Sequence, residues 1–97
     1  MSITAYHFWS PTCNPCKVIK PAVEDLKDEF IKVQWVSVNT HDDKQGLASK
    51  YGVTIVPTIV VVNGNQEVGR HSGTTMITYY SILRKAMSQA QAQPQAV

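Results

Sequence analysis

The apolar positions of this chain change their spacing several times, and each change marks an element. Ile3 and the aromatic-rich run Tyr6 to Trp9 suit a buried strand over about 2–9, which Ser10-Pro11-Thr12 breaks. Ile19, Ala22, Val23, Leu26 and Phe30 then recur at three and four, with Lys20, Glu24, Lys27 and Asp28 on the other face. This pattern predicts a helix over about 15–30. Pro15 suits its start, where an amide N–H is not needed. Pro21 lies inside the helix and predicts a kink, because it cannot donate to the carbonyl of Lys17.

Val33, Trp35, Val36 and Val38 predict a second strand over about 33–39. In the polar stretch that follows, Asp43 or Asp42 is expected to cap a short helix over about 44–51, with Gly52 at its end. The β-branched run Thr58 to Val62 predicts a buried strand, Asn63-Gly64-Asn65 a turn, and Gln66 to His71 a returning strand. Gly73 breaks that strand. Ile77, Tyr80, Ile82, Leu83 and Met87 predict an amphipathic helix over about 75–89. The expected order is β-α-β-α-β-β-α, with a parallel pair from the βαβ start and an antiparallel hairpin. We find no repeat and no interior linker. Residues 1–88 are expected to form one domain, and the Gln/Ala-rich 89–97 a disordered tail.

Composition narrows the function. The 97 residues are 43% hydrophobic and 16% charged, enough for one core and too apolar for disorder. A formal charge of +2 is too mild to point to nucleic acid. No apolar run reaches the roughly 18 residues of a membrane span, since Val53 to Val62 is short and holds Thr54, Pro57 and Thr58. The first residues lack a basic n-region and read as a mature start, so a cytoplasmic protein is expected.

Two cysteines are too few for a secreted disulfide scaffold, and they stand as Cys13-Asn14-Pro15-Cys16. Such a pair can close into a small ring. Where a strand hands over to a helix, the first sulfur meets unsatisfied amides and the positive end of the helix dipole, which favours the Cys13 thiolate. Cys16, one turn in, is expected to be more buried and able to attack a mixed disulfide formed by Cys13. That chemistry needs no cofactor. Two inert buried thiols or half of a zinc site are the other readings. A structural zinc site wants four ligands, and His7, His41 and His71 show no finger-like spacing.

The stretch Phe8-Trp9-Ser10-Pro11-Thr12-Cys13-Asn14-Pro15-Cys16-Lys17, with Pro21 beyond it, resembles the active-site segment of thioredoxin. Tyr51-Gly52-Val53 and Ile55-Val56-Pro57-Thr58 resemble its second signature, and the likeness spans about residues 3–87. It implies an α/β, thioredoxin-like fold: a four-stranded mixed sheet with helices on both faces. Cys13 resembles the attacking nucleophile and Cys16 the resolving thiol. Pro57 resembles the cis-proline across the substrate groove, where the backbone of Val56 would meet an extended substrate; the plain alternative is a trans proline opening a strand. Gly73 would admit a substrate backbone, or else simply turn the chain into the last helix. Trp9 resembles the aromatic beside the disulfide, or is a core Trp next to Phe8.

Four departures from the family pattern shape the expectations. A full thioredoxin has an extra strand and helix ahead of the cysteines. Here that unit is expected to be absent, leaving a layout closer to glutaredoxin with strand 33–39 as an edge guarded by Lys32, Gln34 and Ser37. His7 stands where the family has a buried Asp that serves the resolving thiol. It is either a proton-transfer base or a strand His bonded elsewhere. Thr12 replaces a Trp at the groove rim, which bears on recognition by a reductase. Asn14-Pro15 replaces Gly-Pro between the cysteines, and it lacks the aromatic of glutaredoxin.

The resemblance therefore implies a monomeric thiol–disulfide oxidoreductase that reduces protein disulfides. An NADPH-dependent flavin disulfide reductase is the donor it implies. An oxidase or isomerase, and a non-catalytic docking subunit using Trp9, Val56 and Gly73, are the alternatives.

Overall fold

The computed structural model describes residues 2–92. Its element order is β1 (Ile3–Trp9), α1 (Asn14–Glu29), β2 (Gln34–Asn39), α2 (Leu47–Lys50), β3 (Thr58–Asn63), β4 (Gln66–Ser72) and α3 (Met76–Ala92). The strands form one sheet in the order β2-β1-β3-β4. β1 pairs parallel with β2 and antiparallel with β3, and β3 pairs antiparallel with β4. This is the α/β architecture and element order that the sequence predicts, a four-stranded mixed sheet with 33–39 at an edge.

The two-residue period of β1 sorts its side chains between the faces. Ile3 and Ala5 join Ile19, Val23 and Leu26 of α1 and Tyr79, Leu83 and Ala86 of α3 in the larger core. Phe8 faces the other way, with Val38, Val60 and Val62, and is covered by Leu47, Ala48 and Tyr51 around α2. Helices therefore lie on both faces. β3 is buried on both, which is why Thr58 to Val62 reads as a nearly unbroken apolar run.

Two boundaries differ from expectation. The short helix starts at Leu47, not 44, because Gly46 takes a left-handed φ of 65° just before it. Asp43 still caps it: its two carboxylate oxygens accept from the amides of Leu47 and Ala48, each at 2.9 Å. The last helix runs on to Ala92 through residues 89–92, which were expected to lie in a disordered tail. Ala and Gln are good helix formers, so the Ala/Gln alternation prolongs the helix. Residues 93–97 of that expected tail lie outside the described residues. Pro21 lies within α1, which runs from Asn14 to Glu29, and it is exposed.

The core face of α3 is the predicted one at Leu83, with Tyr80, Ile82 and Met87 packed against it, but Tyr79 takes the buried place that was expected of Ile77. Tyr79 is 1% exposed, whereas Ile77 is 69% exposed. The difference gives a direct check by urea unfolding. Leu83→Ala, at a fully buried position, is expected to cost about 2–5 kcal/mol. Ile77→Ala is expected to stay within about 0.5 kcal/mol.

Candidate active site

β1 delivers the chain to the site. Beyond Trp9 the chain turns, and the Cys13 amide donates to the Ser10 carbonyl at 3.2 Å. Cys13 then takes an extended conformation, φ −90° and ψ 107°, as the N-cap of α1. Its Sγ accepts from the backbone amide of Cys16 at 3.0 Å, the bond that a Ser or Asp side chain makes at an ordinary N-cap. Cys13 and Cys16 are joined as a disulfide, with Cα atoms 5.2 Å apart, inside the usual range.

The two sulfurs are not equivalent. Cys16 is 6% exposed and packed into the protein, whereas Cys13 is half-buried at the helix mouth, between exposed Thr12 and exposed Asn14 and Pro15. In the reduced state the same helix-opening amide and dipole would favour the Cys13 thiolate. The order of accessibility predicted from the sequence is the one observed.

Beside Cys16 lies a recess of about 410 Å3. His7 and Trp9 reach it from β1, on the same face as Ile3 and Ala5, and Ser37 reaches it from β2. Trp9 is half-buried, and its indole N–H donates to Ser37 Oγ at 2.8 Å. It is thus on the opposite face from Phe8 and next to the disulfide, not in the core with Phe8. His7 is buried, and its Nε2 has no hydrogen-bond partner. Burial first, and then the nearby Lys27 cation, lower its pKa to about 4 against the opposing pull of Glu24. The imidazole is therefore neutral near neutral pH.

A second group gathers at the same end of the sheet. Phe8 pairs with Thr58 and Thr58 with Ser72, so Trp9, Pro57 and Gly73 follow one another across adjacent strands. The Val56–Pro57 bond is cis. Val56 is half-buried against the Phe8 cluster. The Gly73 amide donates to the Pro57 carbonyl at 2.9 Å, and Gly73 has φ 117°, a conformation that L side chains rarely adopt. Gly73 thus serves as the turn into α3 and is tied directly to the cis-proline.

Sequence reasoning missed the groups that hold this segment. The Tyr79 phenol donates to the Gly73 carbonyl at 2.5 Å and lies 3.4 Å from the Pro57 carbonyl. Burial pushes its pKa up to about 12, so it remains a donor. Thr58 Oγ1 donates to the Ile55 carbonyl at 2.6 Å and also lies 2.6 Å from Ser72 Oγ. Tyr79 was hidden by its place in a helix where any aromatic reads as core. Only its position six residues after Gly73 could have singled it out. Among the described residues, no three His, Cys, Asp or Glu side chains group so as to hold a metal ion.

The Thioredoxin family model matches residues 3–85 of this chain. The chain belongs to the thioredoxin family. It is 39% identical over 67 residues to thioredoxin from Haemophilus influenzae, covering 68% of this chain and 62% of that one. It is 37% identical over 62 residues to thioredoxin 1 from Nostoc sp., covering 63% of this chain and 57% of that one. The chain thus spans less than two thirds of these relatives' length. The fold superposes on thioredoxin from Fasciola hepatica with a TM-score of 0.80 and 29% identity, over 88% of this chain and 81% of that one. It also superposes on a chain of the ferredoxin:thioredoxin reductase and thioredoxin f2 complex, with a TM-score of 0.80 and 22% identity, over 89% and 78%. The latter likeness shows the fold alone.

The buried imidazole has a consequence for this thioredoxin-family chain that titration can read. The unfolded chain binds a proton on His7 near pH 6.5, and the folded chain only near 4. The contribution of neutral His7 to stability is complete above pH 6.5 and is lost as pH falls through 4, up to about 3 kcal/mol. In urea melts over this window, His7→Gln is expected to flatten the pH dependence relative to the unsubstituted protein.

Proposed function

We propose that this chain is a thiol–disulfide oxidoreductase that reduces protein disulfides. The observation that carries the reading is the Cys13 sulfur capping α1 at 3.0 Å from the Cys16 amide, with Cys16 buried behind it. The thioredoxin relatives support the same activity. In the dithiol form, Cys13 thiolate attacks one sulfur of a substrate disulfide. That S–S bond breaks, and the departing thiolate takes a proton. Cys16 then gives up its proton and attacks the Cys13 sulfur, releasing the second substrate thiol. The substrate gains two electrons and two protons, and the Cys13–Cys16 disulfide remains.

His7 is the group we assign to the Cys16 proton. It lines the same recess, is neutral, and has an unpartnered nitrogen. A forming thiolate beside it raises its proton affinity at the moment of transfer. Pro57, Val56 and the rim formed by Trp9, Asn14 and Pro15 make the substrate groove in this reading.

An external dithiol donor must restore the reduced form. The fold neighbour solved in a complex with a ferredoxin:thioredoxin reductase is one instance of a donor of that general kind. Of the possible donors, an NADPH-dependent flavin enzyme is our proposal. Electron transport to protein disulfides in a reducing cytoplasm is the setting this reading calls for, since there the dithiol persists.

Insulin-disulfide reduction with dithiothreitol tests the activity. Cys13→Ser is expected to abolish it, and Cys16→Ser to accumulate a mixed disulfide through Cys13 that mass spectrometry detects. Absence of that adduct counts against Cys13 as the attacking group. For His7→Gln, resolution of the adduct formed by the intact cysteine pair is expected to slow by roughly 10- to 100-fold, with an altered pH profile. An unchanged profile removes His7 from the proton path.

A further inference from the structure

The charged face of α1 has a pattern that the dithiol chemistry does not use. Lys17, Lys20, Glu24 and Lys27 follow one another at three, four and three, which aligns them in one stripe along the helix. All four line the recess beside Cys16. Glu24 is already committed, since Lys27 Nζ lies 3.2 Å from its carboxylate. Among the described residues Lys17 and Lys20 have no ion-pair partner, and both are exposed. The recess is thus cationic on its helix side, while Trp9 and Pro11 give it an apolar wall.

The inner end of the recess is also incompletely satisfied. His7 is 8% exposed, and its buried Nε2 has no partner. A buried polar nitrogen without a partner is uncommon and costly; as the acceptor for the Cys16 proton it leaves a carboxylate in the recess to the lysines. A volume of about 410 Å3 lies in the range of pockets that hold small groups in a fixed orientation.

We propose that this recess is a specificity subsite for a carboxylate of the disulfide substrate, an Asp or Glu side chain flanking the disulfide in a protein. Lys17 and Lys20 supply the attraction, and Trp9 packs against the side-chain stem. The proposal rests on the reductase reading and adds to it a class of preferred substrate: disulfides with acidic neighbours. Two lysine contacts at this degree of exposure are expected to give a preference of roughly three- to ten-fold, weakening as salt rises.

Two cystine peptides that differ only in Glu or Gln two residues from each half-cystine provide the test. Pre-reduced full-length protein is mixed with each, and the second-order rate constant is followed by tryptophan fluorescence. The Glu peptide is expected to react roughly three- to ten-fold faster. The ratio is expected to fall toward one in Lys17→Gln/Lys20→Gln and below one in Lys17→Glu/Lys20→Glu. Equal rate constants in the unsubstituted protein, or a ratio that survives both double variants, overturns the subsite. If neither peptide is reduced, the reductase reading fails by itself. Cysteine-free Glu and Gln peptides are then titrated into the oxidised protein. A saturable fluorescence change specific to the Glu peptide, lost in Lys17→Gln/Lys20→Gln, supports the subsite, and identical responses overturn it.

Discussion

A single hydrogen bond, from the Cys16 amide to the Cys13 sulfur, sets the character of this molecule. A helix leaves its first amides unpaired, and the chain offers sulfur where most proteins offer oxygen. That choice puts the most ionisable form of a thiol against the most electropositive part of the backbone. It also orders the pair. The cap residue must stand at the helix mouth, and the residue one turn later must lie against the body of the protein. The difference in exposure between the two cysteines follows from their position along one turn of helix.

The rest of the fold holds that helix end in place. β1 is hydrogen-bonded on both sides, to β2 and β3, so the point at which it releases the chain toward Cys13 is fixed. The same strand passes from core to site along one face: Ile3 and Ala5 are core, His7 lies at the inner end of the recess, and Trp9 is at its rim. Across the sheet end, Tyr79 and Thr58 secure the segment on either side of Pro57 through backbone carbonyls. Their bonds run from α3 and β3 to the loop, so the packing of the last helix and the shape of the loop at Pro57 are linked.

Much of this was legible in the residues. The three-and-four spacing of Ile19, Val23 and Leu26 and the β-branched run of Thr58 to Val62 place α1 and β3, because burial on one stripe or on both faces leaves a clear pattern. Cys13 and Cys16 were legible because their spacing and the strand-to-helix handover together define a site. Hidden features depend on contacts distant in sequence. Nothing local shows that Tyr79, 22 residues from Pro57, aims its hydroxyl at the loop, nor that Ile77 turns outward. The start of α2 was misplaced because Gly46 halts the helix there, while Asp43 caps it across the intervening turn. His7 was legible as a candidate only through its place in the strand; its burial and lack of a partner come from packing.

The covalent link between the cysteines spans three positions, all within a turn that backbone bonds already hold: Cys13 to Ser10, and Lys17 to Cys13. Closing so short a loop removes little freedom from the unfolded chain, of order 2 kcal/mol at most. The architecture therefore does not lean on its own cross-link. The turn around the cysteines is held by these backbone bonds as well as by the sulfur–sulfur link.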